Sequence, residues 1–103
     1  MKKELMLGNK ALARGLYEAG CKISLDMASY NVVESNNAFL HDIVGNYVDI
    51  VFANEDESFA YTHLNPEESV EKIASECDIA VVKVGKRGSY VQQGNNRYHI
   101  GAV

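Results

Sequence analysis

Apolar positions follow two rhythms along this chain. Ile50-Val51-Phe52-Ala53 and Ile79-Ala80-Val81-Val82 are unbroken apolar runs, the second opening a strand, rich in β-branched residues, expected over Ile79 to Val84. Runs this short fit strands buried on both faces. Helical spacing marks the segments around them. Leu5, Leu12, Leu16 and Ala19 recur at seven, four and three, which predicts a helix over residues 4–19. Gly8 and Gly15 weaken it, and Gly20 is a natural stop. Lys22 to Leu25 alternates as a short strand closed by Asp26. A helix feeding a strand is half of a βαβ crossover, whose first strand is expected to lie outside the chain.

Ser35 is placed to cap a helix that carries Phe39, Leu40, Ile43, Val44 and Tyr47 on one face. After the Ile50 strand, a short helix is expected from about Glu55 to Tyr61. Asn65-Pro66-Glu67-Glu68 then gives a cap, a proline at the first helical position and a carboxylate three residues after the cap. Val70, Ile73, Ala74 and Cys77 form the stripe that helix would bury. Gly85-Lys86-Arg87-Gly88 turns the Ile79 strand into a second one, Ser89 to Gln93, and Gly94-Asn95-Asn96 turns that into Arg97 to Ile100. Helices between the first three strands demand parallel crossovers, since tight hairpins cannot join parallel neighbours. The expected fold class is α/β: a mostly parallel sheet flanked by helices, closing in an antiparallel meander. No repeat, linker or low-complexity segment interrupts the pattern.

Composition narrows the picture. A chain of 103 residues is one domain or part of one, and 47% hydrophobic content with a single proline argues for a packed body. A net charge of -4 gives no electrostatic reason to expect nucleic acid as a partner. No apolar run is long enough to cross a membrane, and the first residues show no signal-peptide core. Cys21 and Cys77 belong to no Cys-x-x-Cys pair and read as small apolar residues of a reduced protein, so a cytoplasmic location is expected. His41, His63 and His99 lie on separate segments without metal-ligand spacing, as surface or half-buried residues do.

Three stretches offer chemistry. Asn54-Glu55-Asp56-Glu57 opens a helix straight after a buried strand, and ligands of open α/β sheets bind at such carboxyl ends. Asn at the cap with Glu three residues later is also a capping-box variant, contributing about 1 kcal/mol to the helix. Both roles can coexist. Glu55 and Asp56 read as a solvated helix start that complements the dipole. In Lys83-Val84-Gly85-Lys86-Arg87-Gly88 a strand ends in Lys-x-Gly-x-x-Gly and reverses. An ordinary hairpin explains this pattern, and the same glycines would let a ligand approach the backbone; Lys86 and Arg87 read as solvated. In Ser24-Leu25-Asp26-Met27-Ala28-Ser29-Tyr30-Asn31, Asp26 ends a strand and should face the same crevice as Asn54. The alternative is that Asp26 and Ser29 satisfy a loop backbone.

Together these stretches resemble the ribokinase-like (PfkB) sugar and nucleoside kinases, from about Gly20 to Ile100. Asn54 and Glu57 match the family's Asn-x-x-Glu motif, and Lys83 to Gly88 matches its Thr/Lys-x-Gly-x-x-Gly turn. Leu25-Asp26 to Asn31 looks like the form seen in the adenosine-kinase-like branch, without the arginine common in sugar kinases. The resemblance implies cofactor-binding positions at Asn54, Lys83, Gly85 and Gly88, with Gly88 also serving the turn. It implies a Mg²⁺-linked carboxylate at Glu57, acting through metal-bound water, and a place in the cleft for Asp26. ATP and Mg²⁺ are the implied cofactors. A sugar or nucleoside would be the acceptor in a full-length form. The family's Gly-Ala-Gly-Asp loop, with its general base and anion hole, would follow the last strand, and the chain stops before it; the N-terminal acceptor part is missing too. The expectation is the ATP-side middle of such a kinase, inactive alone, with no catalytic residue of its own and a tendency to self-associate through an exposed Lys22–Leu25 edge. The alternative is a non-catalytic α/β module held by self-association or a partner.

Overall fold

The computed structural model describes residues 2–4, 15, 17–27 and 29–101. Its elements in order are β1 (Lys2–Glu4), β2 (Lys22–Asp26), α1 (Tyr30–Ser35), α2 (Asn37–Tyr47), β3 (Ile50–Asn54), α3 (Glu55–Thr62), α4 (Pro66–Ala74), β4 (Ile79–Lys83), a 3₁₀ turn (Gly85–Arg87), β5 (Ser89–Gln93) and β6 (Asn96–Ile100). All six strands form one sheet in sequence order. Strands β1 to β4 run parallel, and β5 and β6 complete the antiparallel meander.

Two expectations change here. A first strand does lie within the chain: Lys2–Glu4 pairs parallel with Lys22–Ser24. Three residues with two lysines carry no apolar alternation, so only the pairing reveals it. Strand β2 is consequently flanked on both sides and presents no edge; the sheet's edges are β1 and β6. Of the predicted helix over 4–19, Glu4 is strand, Gly15, Tyr17 and Glu18 are helical, and Leu5, Leu12 and Leu16 lie outside the described residues. Gly20 closes this helix at φ +80°, as its sequence position suggested.

Ser35 is not the cap of the next helix. Residues 30–47 form two helices broken at Asn36, whose side chain turns back to donate to the Val32 carbonyl at 2.9 Å. Such local side-chain bonds compete with helix continuation. Ser29 caps the extra helix α1, its Oγ accepting from Val32 N at 3.3 Å. In α4 the expected start is present: Asn65 accepts from Glu68 N at 2.8 Å with Pro66 in the first turn.

The helices lie on one face of the sheet. Leu25, Val51, Ala53, Ala80 and Val82 are fully buried beneath them, with Leu40, Ile43, Val44, Val70 and Ile73 from the helical side. Ile50, Phe52, Ile79 and Val81, which alternate with those residues, are only half-buried. Right-handed crossovers that all step the same way across a sheet leave their helices on one side. Tyr90, paired with Val82, donates its hydroxyl to Glu67 of α4 at 3.2 Å and confirms which face is covered.

Two polar knots fix the layers. Asp49 Oδ2 accepts from Ile23 N at 2.7 Å while its carbonyl accepts from Asp78 N and Ile79 N, tying β2, β3 and β4 together at their amino ends. At the other corner, Tyr61 is buried, stacks on His41 with centroids 3.8 Å apart, and donates to Glu76 Oε1 at 2.7 Å. The same Glu76 oxygen lies 2.9 Å from His41 Nδ1. Burial pushes the neighbouring Cys77 thiol up to about 12, which keeps it protonated and suits its packing role. Cys21 and Cys77 are both free.

Candidate functional site

The site forms where the carboxyl ends of β3 and β4 lie side by side. Asn54 and Lys83, each the last residue of its strand, are direct partners in the parallel register. The chain leaves Asn54 into α3 and leaves Lys83 into the Gly85 turn. Asn54, Glu55, Asp56, Lys83 and Gly85 line a cleft of about 280 Å³ between them. The two motifs singled out in the sequence are therefore two walls of one space. A larger cleft of about 330 Å³, lined by Leu64, Glu68, Glu71, Lys72 and Ser75, lies along α4 and holds none of the motif residues.

The capping box is complete. Asn54 Oδ1 accepts from Glu57 N at 2.8 Å, and Glu57 Oε1 accepts from Asn54 N at 3.2 Å. This reciprocal pair satisfies two donors that a helix start otherwise leaves to water. It also fixes Glu57 inside the junction, where only 8% of its surface is exposed. Burial raises the carboxyl above its ordinary value, the Asn54 N–H pulls it back down, and the Asp26 charge adds to the rise. The Lys83 ammonium opposes the rise and Asp56 reinforces it, both less than the Asp26 charge does. Asp26, at the exposed end of β2, thus acts on the same locality as Asn54 and Glu57.

The Gly85 turn is built for its backbone shape. Gly85 sits at φ +60° and Gly88 at φ +94°, conformations that side chains with a Cβ rarely adopt. A Cβ added at Gly85 would meet nothing within 4 Å, so space is open above it. The turn closes on itself, with Val84 N donating to the Gly88 carbonyl at 2.8 Å and Gly88 N to the Gly85 carbonyl at 3.0 Å.

One pairing escaped the sequence. Arg87 does not simply extend into water: its Nη2 donates to Glu55 Oε2 at 3.1 Å, joining the turn to the first residue of α3. Opposite charges on the two motifs were visible, but only the β3–β4 pairing brings them together. Among the described residues no group of three or more His, Cys, Asp and Glu side chains is arranged to hold a metal ion directly. His41, His63 and His99 lie apart from the cleft's lining. No helix among the described residues is long and apolar enough to cross a membrane.

No protein-family model matches this chain, and no curated protein matches it. Solved structures do. The adenosine kinase from Sinorhizobium meliloti superimposes with a TM-score of 0.81 at 26% identity, over 90% of this chain and 29% of that one. A probable sugar kinase protein from Rhizobium etli CFN 42 gives 0.81 at 28% identity over the same shares. The fructokinase from Vibrio cholerae O395, in its fructose, ADP and calcium ion bound form, gives 0.75 at 24% identity, over 89% of this chain and 32% of that one. This chain has the ribokinase-like PfkB kinase fold, and spans about three-tenths of the length of those kinases.

Proposed function

We propose that these residues are the nucleotide side of an ATP-dependent sugar or nucleoside kinase. The observation that carries the reading is the meeting of Asn54, Glu55 and Asp56 with Lys83 and Gly85 around one cleft at the carboxyl ends of adjacent parallel strands. That is where open α/β sheets take their ligands. The fold's solved examples include a kinase holding ADP and a metal ion. In this reading Lys83 meets the phosphates, Gly85 lets the nucleotide lie against the backbone, Gly88 holds the turn, and Asn54 fixes the junction. Asp26 acts on the site through its charge on Glu57.

Mg²⁺ fits the donor set. Glu57 is a carboxylate drawn out of water, with Asp26 and Asp56 adding negative charge and Lys83 opposing it. A hard cation that keeps its hydration shell would relieve that charge through a bound water. Glu57, oriented by the capping box, would hold such an ion through that water, and the ion would supply charge neutralisation for the phosphates. The acceptor would be a sugar or nucleoside hydroxyl, bound in a full-length form, in the cytoplasm.

By themselves these 103 residues are expected to transfer no phosphate, since they contain no Gly-Ala-Gly-Asp sequence. A positioned general base contributes about 10²–10⁴ in rate, and an anion-hole donor about 10²–10³. Phosphorylation of ribose, fructose or adenosine above a no-enzyme control would overturn this expectation. A second reading, the non-catalytic α/β module held by itself or a partner, is favoured by one fact: each motif already makes structural bonds of its own, the Asn54–Glu57 box in one and the Val84–Gly88 and Gly85–Gly88 bonds in the other. Calorimetric titration with ATP separates the two. Saturable binding strengthened by Mg²⁺ is expected; no binding at millimolar ATP makes the module the better reading.

A further inference from the structure

The cleft is at odds with the charge of the ligand assigned to it. Its wall carries two carboxylates, Glu55 and Asp56, against one ammonium, Lys83. Glu57 lies buried just beyond. A polyphosphate entering there meets more negative charge than positive. A further cation reaches this wall through Glu55: Arg87, already committed to that carboxylate at 3.1 Å with its side chain 60% exposed. An ion pair that open to water is weak and exchanges readily.

The backbone under Arg87 does not depend on that pair. His99 Nε2, on β6, donates to the Arg87 carbonyl at 2.6 Å, and the Val84–Gly88 and Gly85–Gly88 bonds close the turn independently. The guanidinium can therefore leave Glu55 while its anchor stays fixed. We propose that Arg87 is a phosphate-binding residue held in reserve by Glu55: a nucleoside polyphosphate displaces the Glu55 carboxylate and takes the guanidinium as its own partner. The fork of N–H donors suits phosphate oxygens as well as it suits a carboxylate. The exchange relieves two problems at once, since the ligand gains a cation and the arginine keeps an anion. This inference rests on the nucleotide reading above and adds to it a residue and a mode of entry.

The two partners are predicted to behave oppositely, and the sign is the test. ATP and adenosine are titrated calorimetrically against the 103-residue chain in Mg²⁺ at low ionic strength, beside Arg87→Gln, Glu55→Gln and, as a charge-matched control in the same turn, Lys86→Gln. Arg87→Gln is expected to weaken ATP by about tenfold to a hundredfold, the scale of a lost charge-assisted hydrogen bond, and to leave adenosine unchanged. Glu55→Gln is expected to tighten ATP. Lys86→Gln should cost no more than about threefold, as a screened charge without a contact does. The inference fails if Arg87→Gln costs no more than Lys86→Gln. It also fails if Glu55→Gln weakens ATP alongside Arg87→Gln, which would make the pair a fixed strap. A parent chain that binds no ATP overturns the nucleotide reading and takes this inference with it; a parent that binds while Arg87→Gln binds equally overturns this inference alone.

Discussion

Glu57 shows how one side chain can serve a helix and a ligand at once. Its carboxylate closes the capping box, which calls for the acceptor, yet burial works against the charge. The native carboxyl therefore holds its proton above the ordinary value of 4.5. Between that value and the raised native one, the folded state binds a proton that the unfolded chain has released. Stability from this group consequently falls as pH rises through that window and is lost above it. Glu57→Gln keeps an oxygen to accept from Asn54 N and removes the titration. Urea unfolding should show the parent gaining on the Gln variant as pH drops from 7 to 4. A constant difference across that range would mean that Glu57 feels no net penalty from burial. Removing the other half of the box, by Asn54→Ala, should cost about 1 kcal/mol.

At the scale of elements, the β4–β5 turn decides what a glycine substitution means. Had φ at Gly85 been negative, valine there would have tested ligand approach with little effect on the hairpin. At φ +60° it does not, because a β-branched residue in the left-handed region costs about 1–2 kcal/mol from strain alone. The open space around the site adds no clash to that cost. Gly85→Asn is the cleaner variant, since asparagine tolerates this conformation. It is expected to stay within about 0.5 kcal/mol of the parent, near the range of benign surface changes, while Gly85→Val loses more. If ATP lies against the Gly85 backbone, both variants weaken it; loss with valine only would place the effect in the strained turn.

The whole molecule is a sheet with its helices on one face. On the other face Ile79, Val81 and Val91 are half-buried, and Tyr98 and Ile100 of the edge strand β6 are 58% and 55% exposed. The register sets Val81, Val91 and Tyr98 in one row across three strands. Exposed apolar rows on a sheet, beside an unpaired edge, favour association. Sedimentation at tens of micromolar, roughly where such contacts appear, should show a concentration-dependent dimer. Tyr98→Lys, on β6, is expected to shift it toward monomer. Lys22→Glu, on the flanked strand β2, is not. A strict monomer throughout would show that this face is stable in water.

Much of this was legible in the chain, because periodicity and caps are local. The apolar runs at Ile50 and Ile79, the Asn65-Pro66 start, the Asn54–Glu57 box and the Gly85–Gly88 reversal each follow from neighbours within one turn of chain, and the structure holds all of them. Local signals failed where tertiary partners decide. Strand β1 has no apolar pattern and exists through its pairing with β2. The break at Asn36 depends on a side chain choosing one carbonyl over another. The stack of Tyr61 on His41 over Glu76 joins residues from three segments, none of which announces the others. The site divides the same way. Its residue types and their spacing are written in sequence, so Asn54, Glu57, Lys83 and Gly85 stand out in the sequence itself. That Asn54, Lys83 and Gly85 line one cleft, with Glu57 bonded to Asn54 behind its wall, is a consequence of β3 lying beside β4 in a register that sets Asn54 against Lys83. The same pairing alone brings Arg87 to Glu55 across thirty-two residues of chain. Strand pairing is set by which faces bury best against the helices, a property of the assembled layers that no short stretch contains.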